Sequence, residues 1–284
     1  MPPQQLSFWD NEALETGYRR LADLKLEEAE AHFNKALEAG IGELDSVKKL
    51  IEACEYWLAR IRYLPESGDT ISSSEQIDAL LTAFVHYPFT PQMNAFKKAL
   101  LTYIVSLLHD EVAMDLKSME AAFDLLLESG DLQSAENLVL QSINQHPENS
   151  LLLYLLAQVQ WLSGNRSEAS SNYTWLLLHH PDKVEFNRIE NNKLKAIIYS
   201  HGAAMAPAYG WLQNVVPLIS PSDEIDIYND EHRKAIECYR LLIEANKALL
   251  NNQRDLYVRS RKQLKTLSPE FFAAYFKWLQ SNSK

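Results

Sequence analysis

Apolar residues recur along this chain at three- and four-residue spacing, the period of helices that bury one face. Leu14, Tyr18, Leu21 and Leu24 mark the first such stripe, with Asp10 placed to cap it. A second helix is predicted over 25–39. A third, at about 44–63, carries Ile51, Tyr56, Trp57 and Ile61 and stops at Pro65. The polar stretch PESGDTISSS is predicted as a loop, closed by Ser72 and Glu75 at capping-box spacing. The next helix runs to about Tyr87, where YPFTP interrupts it at Pro88. Thr90 with Pro91 has the form of a cap followed by proline in the first turn. Phe96, Leu100, Ile104, Leu107 and Leu108 then define a strongly apolar helix ending near His109.

Beyond Pro181 the pattern predicts a helix over 183–199. HGAAMAPAYGWLQNVVPLISP is apolar but interrupted by Pro207, Gly210 and Pro217, so short or kinked helices are expected. SPSDEIDIYND reads as an acidic loop. Long helices follow over 230–251 and 254–267, and Ser268 with Pro269 opens a last one, FFAAYFKWL. That segment is apolar almost all round, which requires burial in its own chain or in a contact between two copies.

Between these two regions, 119–182 carries an internal repeat. Displaced by 34 residues, Ser129 falls on Ser163, Gly130 on Gly164, Ala135 on Ala169, His146 on His180 and Pro147 on Pro181. Each copy offers two apolar-periodic runs of about four turns, too short to be stable alone in water. Gly130 and Gly164 stand where the first run must stop, at a position that favours left-handed backbone. Ala135 and Ala169 lie in the second run, where a small side chain lets paired helices approach closely. Pro147 and Pro181 end it.

A third copy spans Ala13 to Gly40, with Gly17 in the first helix and Ala29, Phe33 and Ala36 in the second; Tyr173 is the counterpart of Phe33. Departures are plain. Leu24 replaces the mid-unit glycine, Ile41 stands where proline is expected, and Phe123 and Val139 occupy the small and aromatic positions around Gly130. Ala29 and Ala135 are 106 residues apart, three periods and four residues over, and three helices rather than four fill the gap.

The pattern resembles the tetratricopeptide repeat (TPR). That resemblance implies an all-α right-handed α-solenoid of TPR-like helix-turn-helix hairpins with degenerate middle and C-terminal helices. Repeats would occupy 1–182, the best units being about 10–41, 116–148 and 149–182, with 42–115 degenerate. A C-terminal helical extension over 183–284 would pack on them. It also implies a non-catalytic protein-interaction scaffold, without cofactor or metal, that holds a peptide or protein partner in a groove lined by first helices. Carried over unit by unit, the groove presents Leu14, Tyr18, Leu21 and Ala22; Glu120, Asp124 and Glu128; and Tyr154, Gln158, Trp161 and Leu162. An apolar and aromatic wall with carboxylates suits a peptide with apolar anchors and a basic residue. The subclass that grips a C-terminal carboxylate needs Lys, Asn and Arg there. Glu120, Asp124, Tyr154 and Gln158 are the wrong chemistry for it.

Charge adds detail. The chain carries a net −11, but residues 230–284 hold 11 Lys or Arg against 6 Asp or Glu, leaving 16 against 32 in the first 229. An acidic body disfavours wrapping nucleic acid and favours solubility or a basic partner. Arg254, Arg259, Arg261, Lys262 and Lys265 cluster beside Tyr257, as a solvated face or as a contact for RNA or an acidic partner. No apolar run is long enough to span a bilayer, and the MPPQQLSFWD start lacks the basic and apolar regions of a secretory signal. Cys54 and Cys238 fit buried reduced thiols, hence a cytoplasmic address. His179 and His180 are adjacent and diverge on a helix, which suits a helix end beside orphan carbonyls rather than a metal site. Phosphate loops, GxSxG and HExxH are absent from the sequence. Two rival readings use other parts of the chain. One is an enzyme or small-ligand protein with a pocket near 200–221, walled by His201, Tyr209 and Trp211. The other is a structural subunit held in an assembly by its last helix.

Overall fold

The computed structural model describes residues 3–62, 73–109, 116–147, 149–221 and 225–282. Among the described residues all regular structure is helical, fourteen α-helices and three 3-10 turns. The chain forms two compact units, Met1–Asp131 and Leu132–Lys284. The repeat pattern placed its boundary at 182 instead.

The first unit contains α1 (Pro3–Ala22), α2 (Leu26–Glu38), α3 (Leu44–Arg62), α4 (Ser73–His86), α5 (Asn94–His109) and α6 (Leu116–Glu128). Asp10 lies inside α1, not at its cap, because the helix already begins at Pro3, where proline's missing N–H costs nothing. The loop predicted over 65–74 and the Ser72 half of its capping box fall outside the described residues. Thr90 makes no capping bond; Pro91–Met93 is a 3-10 turn leading into α5. α1 packs on α2 and α2 on α3, but α1 also packs on α5, while α6 packs on α4 and α5. The core gathers aromatic rings: Trp57 lies 6.1 Å from Phe89 in a stacked arrangement and 6.4 Å from Phe84, and Phe89 reaches Phe96 at 6.2 Å.

The second unit contains α7 (Leu132–Gln145), α8 (Ser150–Leu162), α9 (Arg166–His179), α10 (Asn192–His201), α11 (Ala206–Leu212), α12 (Asp230–Leu250), α13 (Arg254–Leu267) and α14 (Pro269–Asn282). The helix predicted over 183–199 is replaced by 3-10 turns at Pro181–Lys183 and Phe186–Arg188 followed by α10. The reason is side-chain competition for the backbone. Tyr173 donates its hydroxyl to the Arg188 carbonyl (2.7 Å) and accepts the Glu190 N–H (3.2 Å). Asn191 then caps α10 by accepting from Lys193 and Leu194. Leu178 of α9 shares a core with Ile236, Tyr239, Leu242, Phe271 and Tyr275. The 150–182 hairpin therefore shares its interior with the C-terminal helices. α14 is buried within its own unit along Phe271 and Tyr275, with Trp278 against Trp211 (4.6 Å).

Six helices end on the same turn. After α1, α2, α6, α8, α11 and α12, the residues Leu24, Gly40, Gly130, Gly164, Asn214 and Asn252 have φ of 59°, 68°, 75°, 90°, 54° and 55°. Each donates its N–H three residues back, and the next residue donates five back, as Asp131 does to Leu126 (2.9 Å) and Asn165 to Gln160 (2.8 Å). This is the Schellman arrangement, which satisfies carbonyls that the helix end leaves open. Leu24 adopts it without glycine's freedom. Seven residues before the turn stand Gly17, Phe33, Phe123, Ala157, Pro207 and Ala245, all buried. The hairpin of α12 and α13 escaped the sequence reading because Asn252 replaces glycine and Tyr257 stands at the position of Ala29, Ala135 and Ala169.

Candidate functional site

The residues expected to line a groove meet different fates. In the first unit Tyr18 sets its ring edge-on to Phe33, with centroids 5.6 Å apart at 75°. With Leu21 it faces Gln92, Ala95 and Phe96 across a cleft of about 310 Å³. Burial raises the Tyr18 phenol above its ordinary range. The α1–α5 contact makes this cleft, and adjacency in the repeat pattern gave no sign of it. Asp124 is half-buried and Glu128 exposed, one turn apart on α6; neither lines the cleft.

In the second unit Tyr154 is fully buried, packed in a core with Tyr173, Leu176, Ile189 and Leu194, and offers a partner no surface. Burial, with the Glu185 carboxylate nearby, pushes its phenol upward. Gln158 is 7 % exposed and already engaged. Its amide donates to the Glu190 carboxylate (2.9 Å), and its carbonyl faces an Arg188 nitrogen at 3.5 Å. Only Trp161 keeps a partly open ring, and the Arg166 guanidinium sits 5.4 Å from its centroid. Leu162 beside it is 44 % exposed. The signal for this burial was present: LLLYLLAQVQWL is apolar around its whole circumference, so α8 has little left to display.

The segment near 200–221 forms a pocket, but not the one expected. His201 stacks on Tyr209 at 3.6 Å and 5°, while Trp211 turns away onto Trp278. Ser200, Glu231, Lys234, Ser268 and Glu270 complete a space of about 280 Å³. His201, Glu231, Lys234 and Glu270 are exposed, so this is an open polar depression rather than an enclosed chamber.

The histidines at the end of α9 take part in a bonded cluster. Trp175 stacks on His179 at 4.0 Å. The orphan carbonyls there are satisfied by other residues: buried His232 meets the Leu178 oxygen through Nε2 (2.9 Å), and the Tyr228 hydroxyl donates to the His179 oxygen (3.0 Å). Having donated its proton, Tyr228 accepts from His180 Nδ1 at 2.9 Å. Burial, reinforced by His180 and His232, depresses His179 to about 4; burial and Lys183 depress His180. Among the described residues no group of His, Cys, Asp or Glu is arranged to hold a metal ion. Cys54 and Cys238 are buried free thiols, raised by burial to about 12 and about 11.

Comparison with protein-family models, with curated proteins and with solved structures returned no match.

Proposed function

We propose that this chain is a non-catalytic interaction scaffold of tetratricopeptide type, whose helix hairpins stack as a right-handed α-solenoid and hold a peptide or protein partner. The supporting observation is the recurrence of one turn: the same two backbone bonds and the same left-handed backbone end six helices. Hairpins built alike, each unable to bury its own apolar face, are stabilised by stacking on neighbours, which leaves extended surface for a partner. In the first unit the contact point is the Tyr18–Leu21–Phe96 cleft, roomy enough for one large apolar side chain; the second unit, taken by itself, offers the Trp161–Leu162 edge. Glu128, exposed on α6 of the first unit, adds preference for a basic residue.

Panning a random displayed-peptide library on the purified protein tests this reading. The expected result is an enriched family with apolar anchors and a basic residue. Ala95 is exposed on the cleft wall, so Ala95→Arg fills the cleft without entering the core. That variant, or Trp161→Ala, is expected to weaken the selected peptides by about tenfold with unchanged helicity. An unenriched library, or peptides indifferent to both variants, overturns the proposal.

A further inference from the structure

α13 presents a cationic face that the fold itself does not use. The helix holds Arg254, Arg259, Arg261, Lys262 and Lys265 against one carboxylate, Asp255. Its inner face is docked: Leu264 is buried, and Ser260 donates to Glu244 of α12 at 2.6 Å. At 100° per residue, Arg254, Val258, Lys262 and Lys265 fall on one outward stripe, all four exposed, about 16 Å from end to end. Among the described residues none of Arg254, Arg259, Lys262 and Lys265 forms an ion pair.

Two further features accompany the charge. Leu249, Leu250, Val258 and Phe276 are 46 %, 73 %, 56 % and 44 % exposed, on α12, α13 and α14. Arg261 lies over Tyr257, Phe272 and Phe276, 5.0, 5.8 and 5.7 Å from the ring centroids. That seating fixes one guanidinium beside the stripe.

We infer that this face is a second docking surface, for an acidic protein segment that carries apolar side chains. Unpaired cations call for carboxylates, and Val258 within the stripe, with Phe276 beneath Arg261, calls for apolar partners beside them. A phosphodiester backbone has nothing to offer Val258 or Leu250, and a polyanion extending past the stripe meets a chain that carries −11. The length of the stripe matches about five extended residues or three helical turns of partner. The inference does not depend on the tetratricopeptide reading.

The probe is a fluorescein-labelled peptide of about twelve residues alternating Glu or Asp with Leu or Phe, read by anisotropy on the full chain. Comparators of equal charge are the same peptide with Ser for its apolar residues and a single-stranded oligonucleotide; vesicles of phosphatidylcholine with phosphatidylserine are the fourth arm. Tightest binding by the acidic–apolar peptide is expected, weakened about tenfold by Lys262→Glu with Lys265→Glu and severalfold by Val258→Ser. Raising salt from about 0.05 M to about 0.3 M should weaken it further. Where the double reversal disturbs helicity, Lys262→Ser serves, with a loss of about threefold expected. Undetectable peptide binding, affinity indifferent to every folded variant, or tighter binding of the oligonucleotide or vesicles overturns the inference.

Discussion

Replacing Gly17 by alanine separates close helix approach from helix propensity. Gly17 is buried on α1, and a Cβ built there would lie 2.5, 2.7 and 3.1 Å from three carbons of the Phe33 ring. Carbon atoms rest at about 3.5–4.0 Å, so the ring would have to retreat by about 1 Å. It has little room: Phe33 is fully buried and edge-on to Tyr18. Overpacking of this kind costs about 1–3 kcal/mol, against a gain of about 1 kcal/mol from removing glycine from a helix interior. Gly17→Ala should therefore lower stability by about 1 kcal/mol at the centre of the range. In a Phe33→Leu background the obstructing ring is gone and only the propensity gain remains, so the same substitution should raise stability by up to about 1 kcal/mol. Urea unfolding followed by circular dichroism on the four chains of the cycle measures the coupling. Equal stabilisation in both backgrounds would refute the idea that Gly17 is there to admit Phe33.

Two other substitutions probe the turn and the histidine cluster. A Cβ at Gly130 or Gly164 would meet nothing within 4 Å, yet φ is 75° and 90°, so Ala at either position should cost about 1–2 kcal/mol from backbone strain alone. Asn should recover part of that loss, and equal urea midpoints for Gly164→Ala and the parent chain would remove the turn from the account. For His179 and His180 the folded values lie below the unfolded one of about 6.5. Above pH 6.5 their stabilisation is complete; as pH falls toward about 4 the unfolded chain takes up protons the folded unit refuses, and stability is lost. His179→Phe keeps a ring against Trp175 but carries no proton, so its urea midpoint should fall less than the parent's between pH 6.5 and 4.5. Parallel pH profiles would count against the assignment.

Helix periodicity was the part of this fold most readable from sequence, because burial on one face imposes it directly on composition. The left-handed residues at Gly130 and Gly164 were legible for the same reason: few other residues are comfortable there. Leu24 and Asn252 hold the same conformation without announcing it, since tertiary packing overrides a local preference of about 1–2 kcal/mol. Contacts were less legible than elements. Tyr154 and Gln158 were expected on a groove because their positions face one in the repeat the pattern resembles. Yet Tyr154 is in the core and Gln158 is spent on Glu190 and Arg188. The 3-10 turns before α10 depend on Tyr173 reaching backbone 15 residues away, which no local pattern encodes.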